Sequence, residues 1–407
     1  MEKKNNVILI TGANGFLGST ITKKLLLSGS KLILLIRASG GNENIFEDFI
    51  QNNHKPANGH NGIDELIHYR FLNSNIEIIK GDITSDNLNL DQDMYDRLCY
   101  EVDEVFHCAA ATHFEKQRAD ELMLVNVGGT ENILQFANSG KKKRFHHVST
   151  AYVVGKGNSI YYEKKVDKEP LFNNEYERSK YIAEQLVLNY AEQNAIPYTI
   201  YRPSIIVGDS KTGHTRKYDN LYLFAKVVSN IKNIYSNRHK ENLNELVNKS
   251  SDNGRKKMRV PGDPNASVNL VPIDYVADAI VEISEKKEAV GRIFHIVNPK
   301  PPILGELRDS FVSILGIKGI NLSIKGEIED KNLNTIERLF LRQTKTYYPY
   351  LFSGLRFDCT NTLKALKGTG ISCPIIDHDL LKLLINYAIL HKWGERKPTA
   401  LQEVETC

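Results

Sequence analysis

Tyr176 and Lys180 stand four residues apart at the head of YERSKYIAEQLVLNYAEQN, 176–194. On a helix that spacing puts both side chains on one face. An ammonium beside a phenol favours the phenolate and draws the tyrosine pKa toward working pH, as a general acid/base requires. The same spacing starts at Tyr152, Tyr161 and Tyr222. The Tyr152 frame crosses Gly155, the Tyr161 frame runs into VDKEP, and Tyr222 lies past the strand–helix alternation of the first half. Tyr176 opens a long one-sided helix, apolar at 182, 183, 186, 187, 190 and 191. Thr150 ends the run RFHHVST. A hydroxyl there, at the carboxyl edge of a sheet, can hydrogen-bond a substrate carbonyl. Ser149 offers the same group, but strand side chains alternate, so one of the two faces the site.

A second constellation is the turn in VILITGANGFLGS, 7–19, with Gly12, Gly15 and Gly18 three apart. GxxGxxG is a relative of the GxGxxG dinucleotide fingerprint. One glycine permits the sharp turn, one lets backbone approach a pyrophosphate, and one lets helix pack on strand. The helix N-terminus adds free N–H groups and a positive dipole end. A strand precedes this turn, a helix follows, and a second strand begins nineteen residues on. The expected cofactor bed is therefore Thr11, Gly12, Asn14, Gly15, Phe16, Leu17 and Gly18. The second strand, KLILLIR, ends at Arg37. Sites that prefer NAD put Asp or Glu near that point, whereas an arginine pairs with a 2′-phosphate, so NADPH is expected over NADH. Asp82 in GDIT, with Ile83 beside it, is placed for the adenine amino group or to cap the helix that follows. The small residues Ala109 and Ala110 in CAAATHF let backbone approach the cofactor.

These residues need a sheet to hold them. VILIT (7–11), KLILLIR (31–37), IEIIKGD (76–82), DEVFHCAA (103–110), RFHHVST (144–150), PYTIYRP (197–203) and RIFHIVN (292–298) are short apolar runs between helix-period segments. They lack strict alternation, which suits strands buried on both faces. The pattern predicts an α/β fold, a doubly wound parallel sheet of the NAD(P)-binding Rossmann kind, with right-handed crossovers. The expected Rossmann domain is 1–208, completed by about 268–300. A smaller, mainly helical substrate lobe is expected from 209–267 and 301–407. Residues 39–64 read as a polar surface insertion with a short helix at 44–52, and 236–257 as a polar, mobile stretch.

The 407 residues are 41% hydrophobic and 25% charged, with a net charge of +4. That charge is too mild to argue for nucleic acid. KKKR (141–144) and RKKMR (255–259) read as solvated loops. The five cysteines form no CxxC pair and show no metal-ligand spacing with histidine, so no metal site is expected and a reducing compartment is. MEKKNN runs straight into a strand, and no run of 18 apolar residues occurs, so a cytoplasmic protein without an integral membrane segment is expected. DLLKLLINYAILHKW, 379–393, reads as a core-packing helix.

Taken together, the glycine turn, HCAA at 107–110, VNVGGT at 125–130, VSTAYVVG, the YxxxK helix and YRPS at 201–204 resemble an extended short-chain dehydrogenase/reductase. The resemblance implies a triad of Thr150, Tyr176 and Lys180, with Thr150 aligned in preference to Ser149. It also places Asn126 and Pro203 near the cofactor. TGANGFLG, VFHCAA, VNVGGTENIL, RPSIIVGDSKTG and PGDPNASVNLVPIDYVADAI are similar to thioester reductases and fatty acyl-CoA reductases. That branch implies NADPH-dependent reduction of an acyl thioester, on coenzyme A or a carrier protein, to an aldehyde and onward to an alcohol. With no adenylation or carrier segment before Met1, a free-standing enzyme is expected. Candidate substrate contacts are Thr112, Ser204 and Lys211, the last with Arg216 for a phosphate or else part of a solvated loop. His107 and His113 read as packed histidines, and Arg202 as support. The rivals on the same scaffold are a nucleotide-sugar epimerase or dehydratase, a hydroxysteroid-type dehydrogenase, and a redox-sensing regulator without chemistry.

Overall fold

The structure, a computed structural model, describes residues 6–37, 75–239, 258–317, 320–324 and 333–395, with backbone only for 233–239. The insertion expected at 39–64, its helix at 44–52, and 240–257 of the second polar stretch lie outside these residues.

Seven strands form one sheet: β1 Val7–Thr11, β2 Lys31–Ile36, β3 Ile76–Lys80, β4 Glu104–His107, β5 Arg144–Val148, β6 Tyr198–Pro203 and β7 Arg292–Ile296. Their spatial order is β7-β6-β5-β4-β1-β2-β3, and every neighbouring pair is parallel. The order reverses between β1 and β4. Thr11 pairs with Leu35 on one side and His107 on the other, so these strands end level and open a crevice beyond their carboxyl ends.

The longer helices are α1 Phe16–Leu27, α2 Gln92–Glu101, α3 Gly129–Asn138, α4 Glu175–Asn194, α5 Leu221–His239, α6 Ile273–Ser284, α7 Leu304–Leu315, α8 Thr335–Thr344, α9 Thr360–Leu366 and α10 His378–Leu390. Strand side chains alternate between two cores. Ile8, Ile10, Leu32, Leu34 and Phe106 meet Ile21 and Leu25 of α1 and Val276 and Ile280 of α6. Leu9, Ile33, Leu35, Val105 and Phe145 meet Leu98 of α2, Ile133 of α3 and Val187 of α4. With both faces covered, both alternating positions are apolar, which is why the strands read as unbroken hydrophobic runs.

The described residues fall into two compact units. The first comprises Met1–Ile206, Val271–Pro299 and Gly354–Pro374; the second comprises Val207–Leu270, Lys300–Ser353 and Ile375–Cys407. Gly354–Pro374 therefore departs from the lobe expected from the sequence. Arg356–Phe357 pairs with Ile160–Tyr161. Glu163 accepts bonds from the Thr362 hydroxyl (2.8 Å) and the His295 N–H (2.8 Å), so this segment covers the β7 edge. The second unit holds α5, α7, α8 and α10 with a two-stranded sheet of Met258–Pro261 and Ile320–Ser323. In α10, Leu380, Leu381, Leu384, Ile385 and Ala388 are buried, the core packing expected of 379–393.

The basic run KKKR is not a solvated loop. Lys143 is fully buried, and its ammonium donates to the carbonyls of Cys99 (2.9 Å), Ser139 (2.6 Å) and Lys141 (2.9 Å). It thereby serves the carbonyls left open at the C-terminal ends of α2 and α3. Arg144 donates to the carbonyls of Ser284 and Lys286. Arg259, at the end of RKKMR, pairs with Glu337 at 2.9 Å; Arg255, Lys256 and Lys257 lie outside the described residues. Among the described residues no helix is long and apolar enough to cross a membrane, and no group of His, Cys, Asp and Glu could hold a metal.

Candidate active site

The glycine turn leaves β1 at the reversal point, and each glycine has a separate steric reason. Gly12 has φ +70°, and a Cβ there would lie 2.6 Å from the Ala109 nitrogen. A Cβ on Gly18 would lie 2.1 Å from the Gly12 carbonyl oxygen, so only glycine lets α1 pack on the turn. A Cβ on Gly15 would meet the Gly12 carbonyl oxygen at 3.1 Å and nothing else nearby, and Asn14 and Gly15 are exposed. Gly15 caps α1 without a side-chain bond, and the first turn holds no acidic residue. The helix N-terminus and the cradle that a side chain would fill fit a pyrophosphate. Phe16 and Leu17 are half-buried, and Leu17 packs on the core.

Neighbouring strand ends complete the bed. Asp82 Oδ1 accepts from the Thr84 N–H (2.9 Å) and hydroxyl (2.8 Å), a local turn rather than a helix cap. Ile83 is buried, with its side chain packed against Gly129 at the start of α3. Asn126 sits in a π-helical turn, Met123–Gly128. It clamps the loop after β4 by accepting from the Ala111 N–H (2.8 Å) and donating to the Ala111 carbonyl (3.0 Å) and the Ser179 hydroxyl (2.9 Å). Ala109 donates its N–H to the Thr11 hydroxyl (3.3 Å), tying the two strand exits together, and Ala110 follows half-buried. Arg37 is exposed at the end of β2.

Helix α4 starts at Glu175, where the Asn174 side chain accepts from the Glu177 N–H (3.0 Å). Three side chains on successive turns then grip the end of β5. Tyr176 engages the Thr150 hydroxyl. Lys180 donates to the Val148 carbonyl at 2.8 Å. Glu184 accepts from the Ser149 hydroxyl at 2.7 Å. The alternation at the strand end is thus resolved: Ser149 turns to Glu184 and Thr150 to Tyr176. Thr150 also accepts from the Tyr152 N–H and reaches toward the Pro203 carbonyl at 3.5 Å.

Electrostatics depart from the expectation that Lys180 lowers the Tyr176 pKa. Burial and the nearby Glu177 push the Tyr176 phenol up to about 12, against the bond with Thr150. Burial pulls the Lys180 ammonium down to about 8, opposed by Glu184 and Cys108. The phenol is neutral at ordinary pH, a proton donor rather than a base.

His107 is fully buried beside the site. The Thr130 hydroxyl donates to the Asn126 carbonyl (2.6 Å), so His107 Nε2–H donates to Thr130 (3.0 Å) and Nδ1 accepts from Thr11 (2.8 Å). Burial, and secondly Lys180, hold its pKa at about 3. Burial and then Arg202 hold His295 at about 3. Each resists a proton that the unfolded chain accepts below 6.5. Their stabilisation is complete above that pH and is lost as pH falls toward 3. Urea unfolding between about pH 6.5 and 4 is expected to lose up to about 1.4 kcal/mol per pH unit per histidine, and a flat profile contradicts this.

Three other expected site residues lie after β4, after β6 and in the second unit. Thr112 is exposed in the loop after β4. Ser204 is buried, its N–H donating to the Ile296 carbonyl (3.3 Å). Lys211 is exposed in the second unit, on a turn closed by Asp209. Two participants were not singled out from sequence. Phe114 packs on the Tyr176 ring at 5.7 Å between centroids, and no spacing rule points to it. Glu184 lies one turn beyond Lys180, and its i+4 position is a signal that the sequence did carry.

A sequence-family model described as "Male sterility protein", an NAD-binding family, matches residues 10–280. The chain is 24% identical over 438 residues to "Aldehyde reductase lnaA" of Aspergillus flavus, covering 98% of this chain and 37% of that protein. It is 24% identical to "Probable fatty acyl-CoA reductase 5" of Arabidopsis thaliana, covering 75% of this chain and 69% of that one. The chain spans less than two-fifths of several of the curated relatives it matches. Among solved structures, the terminal R domain from the myxalamid PKS-NRPS biosynthetic pathway superposes with a TM-score of 0.74 at 25% identity, covering 98% of this chain and 94% of that one.

Proposed function

The chain belongs to the male sterility protein family of NAD(P)-dependent oxidoreductases, of the extended short-chain type, and we propose that it reduces an acyl thioester with NADPH. The acyl group is carried on coenzyme A or a carrier protein, and the product is the aldehyde; a second hydride would give the alcohol. The observation that carries the reading is the grip of α4 on β5, which gathers the Thr150 and Tyr176 hydroxyls at a strand end two strands along the sheet from the glycine turn. The likeness to a terminal reductase domain and a fatty acyl-CoA reductase supports a thioester as substrate.

When bound over the glycine turn, a nicotinamide cofactor would supply the hydride for the thioester carbonyl carbon. The Thr150 and Tyr176 hydroxyls donate to the carbonyl oxygen as negative charge develops there. Tyr176 gives up its proton to that oxygen, and its high pKa keeps the proton available until then. The Lys180 ammonium, held by the Val148 carbonyl, stabilises the phenolate left behind and would help to hold the nicotinamide ribose of the bound cofactor. The hemithioacetal collapses when its C–S bond breaks, releasing thiol and aldehyde. Thr112, Ser204 and Lys211 are proposed to contact the substrate, and the second unit to bind it. The glycine turn, Asp82, Asn126 and Pro203 are proposed to seat the cofactor.

Arg37 is proposed to select NADPH by pairing with the 2′-phosphate. Arg37→Glu should raise the KM for NADPH about tenfold or more while changing that for NADH about twofold at most. Equal changes for both contradict the assignment. The functional reading is tested by NADPH oxidation with a panel of acyl-CoA and acyl-carrier thioesters, with nucleotide sugars as the contrast. Turnover of a thioester is expected; turnover of a nucleotide sugar alone overturns the proposal.

A further inference from the structure

We propose that Glu184 is a positioning residue for the Tyr176–Lys180 pair: its buried carboxylate keeps Lys180 an ammonium and turns Ser149 away from the site. The proposal rests on the reading that Tyr176 and Lys180 perform the chemistry.

The geometry is specific. Glu184 is fully buried. Its Oε2 accepts from Ser149 Oγ (2.7 Å) and Arg202 Nε (3.0 Å), and its Oε1 accepts from Arg202 Nη2. Arg202 Nη1 donates to His295 Nε2 (3.1 Å), and His295 Nδ1–H donates to the Asp358 carbonyl (2.7 Å). That chain of donors holds His295 neutral and leaves one carboxylate and one guanidinium, both without solvent exposure. A buried ion pair is a poor means of stabilisation, because well-packed apolar residues do as well or better. Packing alone therefore does not explain a carboxylate here.

Its position relative to Lys180 does. Lys180 is 2% exposed, so burial works against its charge. The groups that face it are Cys108 and His107 at the end of β4, His147 on β5, and Glu184 on its own helix. Burial pushes the Cys108 thiol up to about 12 and holds His107 at about 3 and His147 well below its ordinary value. All three are neutral at working pH. Among these described groups Glu184 alone carries negative charge; it is partly offset by the Arg202 guanidinium bonded to both of its oxygens, and it favours the ammonium. Tyr176, one turn before Lys180, is also neutral.

The test uses Glu184→Gln, which keeps the shape and an acceptor for Ser149 and Arg202 but removes the charge. NADPH affinity is titrated against pH by protein fluorescence, without any thioester, and kcat/KM is measured in parallel. The alkaline midpoint of NADPH affinity is expected to fall by about one pH unit relative to wild type, a shift equivalent to about tenfold in the Lys180 acid constant. Glu184→Asp, which keeps the charge, is expected to restore the wild-type midpoint to within about 0.3 unit. If Glu184→Gln does not fold, the double variant Glu184→Gln, Arg202→Gln removes both charges. Its midpoint is expected to fall by less than that of the single variant, because the Arg202 guanidinium, bonded to both Glu184 oxygens, opposes the effect of the carboxylate on Lys180. An unchanged midpoint in either Gln variant overturns the proposal. Wild-type protein that binds NADPH but reduces no thioester instead overturns the functional reading, and the binding arm still decides the role of Glu184.

Discussion

Replacing Tyr176 by phenylalanine should lower kcat for thioester reduction by about a thousandfold or more, with NADPH affinity within about threefold of wild type. The substitution removes one hydroxyl and leaves the ring that packs on Phe114. Losing a hydrogen-bond donor to a developing oxyanion costs about 10²–10³ in rate, and losing the proton donor costs about 10²–10⁴. One group performs both tasks here, so the two losses overlap rather than multiply. The Lys180 bond to Val148, Asn126 and the glycine turn are untouched, which is why the cofactor should still bind. The check is a pair of measurements, single-turnover rate and NADPH dissociation constant. Near-normal turnover removes Tyr176 from the chemistry. A parallel loss of NADPH affinity reassigns it to cofactor binding.

Much of this arrangement is legible in the sequence because it rests on local spacing. The seven apolar runs are strands because both of their faces are covered, and the glycine turn carries its steric reasons at 12, 15 and 18. Alternation said that Ser149 and Thr150 face opposite ways; the partner that draws Ser149 aside, Glu184, could be found only as the next step of the i+4 stripe. Other features depend on distant contacts that no window contains. Gly354–Pro374 joins the first unit through a two-residue strand and the Glu163 carboxylate, some 200 positions away. Lys143 looks like part of a surface charge run until the carbonyls of Cys99 and Ser139 surround it. The Tyr176 pKa moved opposite to expectation because spacing shows Lys180 but not burial, and burial outweighs the other causes.

The second large effect is on stability. Arg202→Ala is expected to cost about 3–5 kcal/mol, the usual penalty for leaving one member of a buried pair alone. Glu184 would retain only the Ser149 hydroxyl, and His295 Nε2 would lose its donor. Arg202→Lys should recover little, because one ammonium cannot reproduce the fork that serves both Glu184 oxygens and His295. Urea denaturation followed by near-ultraviolet circular dichroism measures both variants. A loss below about 1 kcal/mol for Arg202→Ala would mean that the pair is relaxed by water or by repacking.

In the proposed reaction hydride reaches a thioester carbonyl and a thiol leaves. This is tested most directly by turnover with NADPH deuterated at the transferred position, scoring free thiol and the isotope content of the product together. One thiol should be released for each aldehyde formed, with deuterium on the former carbonyl carbon and a second deuterium on that carbon in any alcohol. Thiol released without NADPH oxidation, as in hydrolysis, or NADPH oxidised without thiol release, contradicts this reaction.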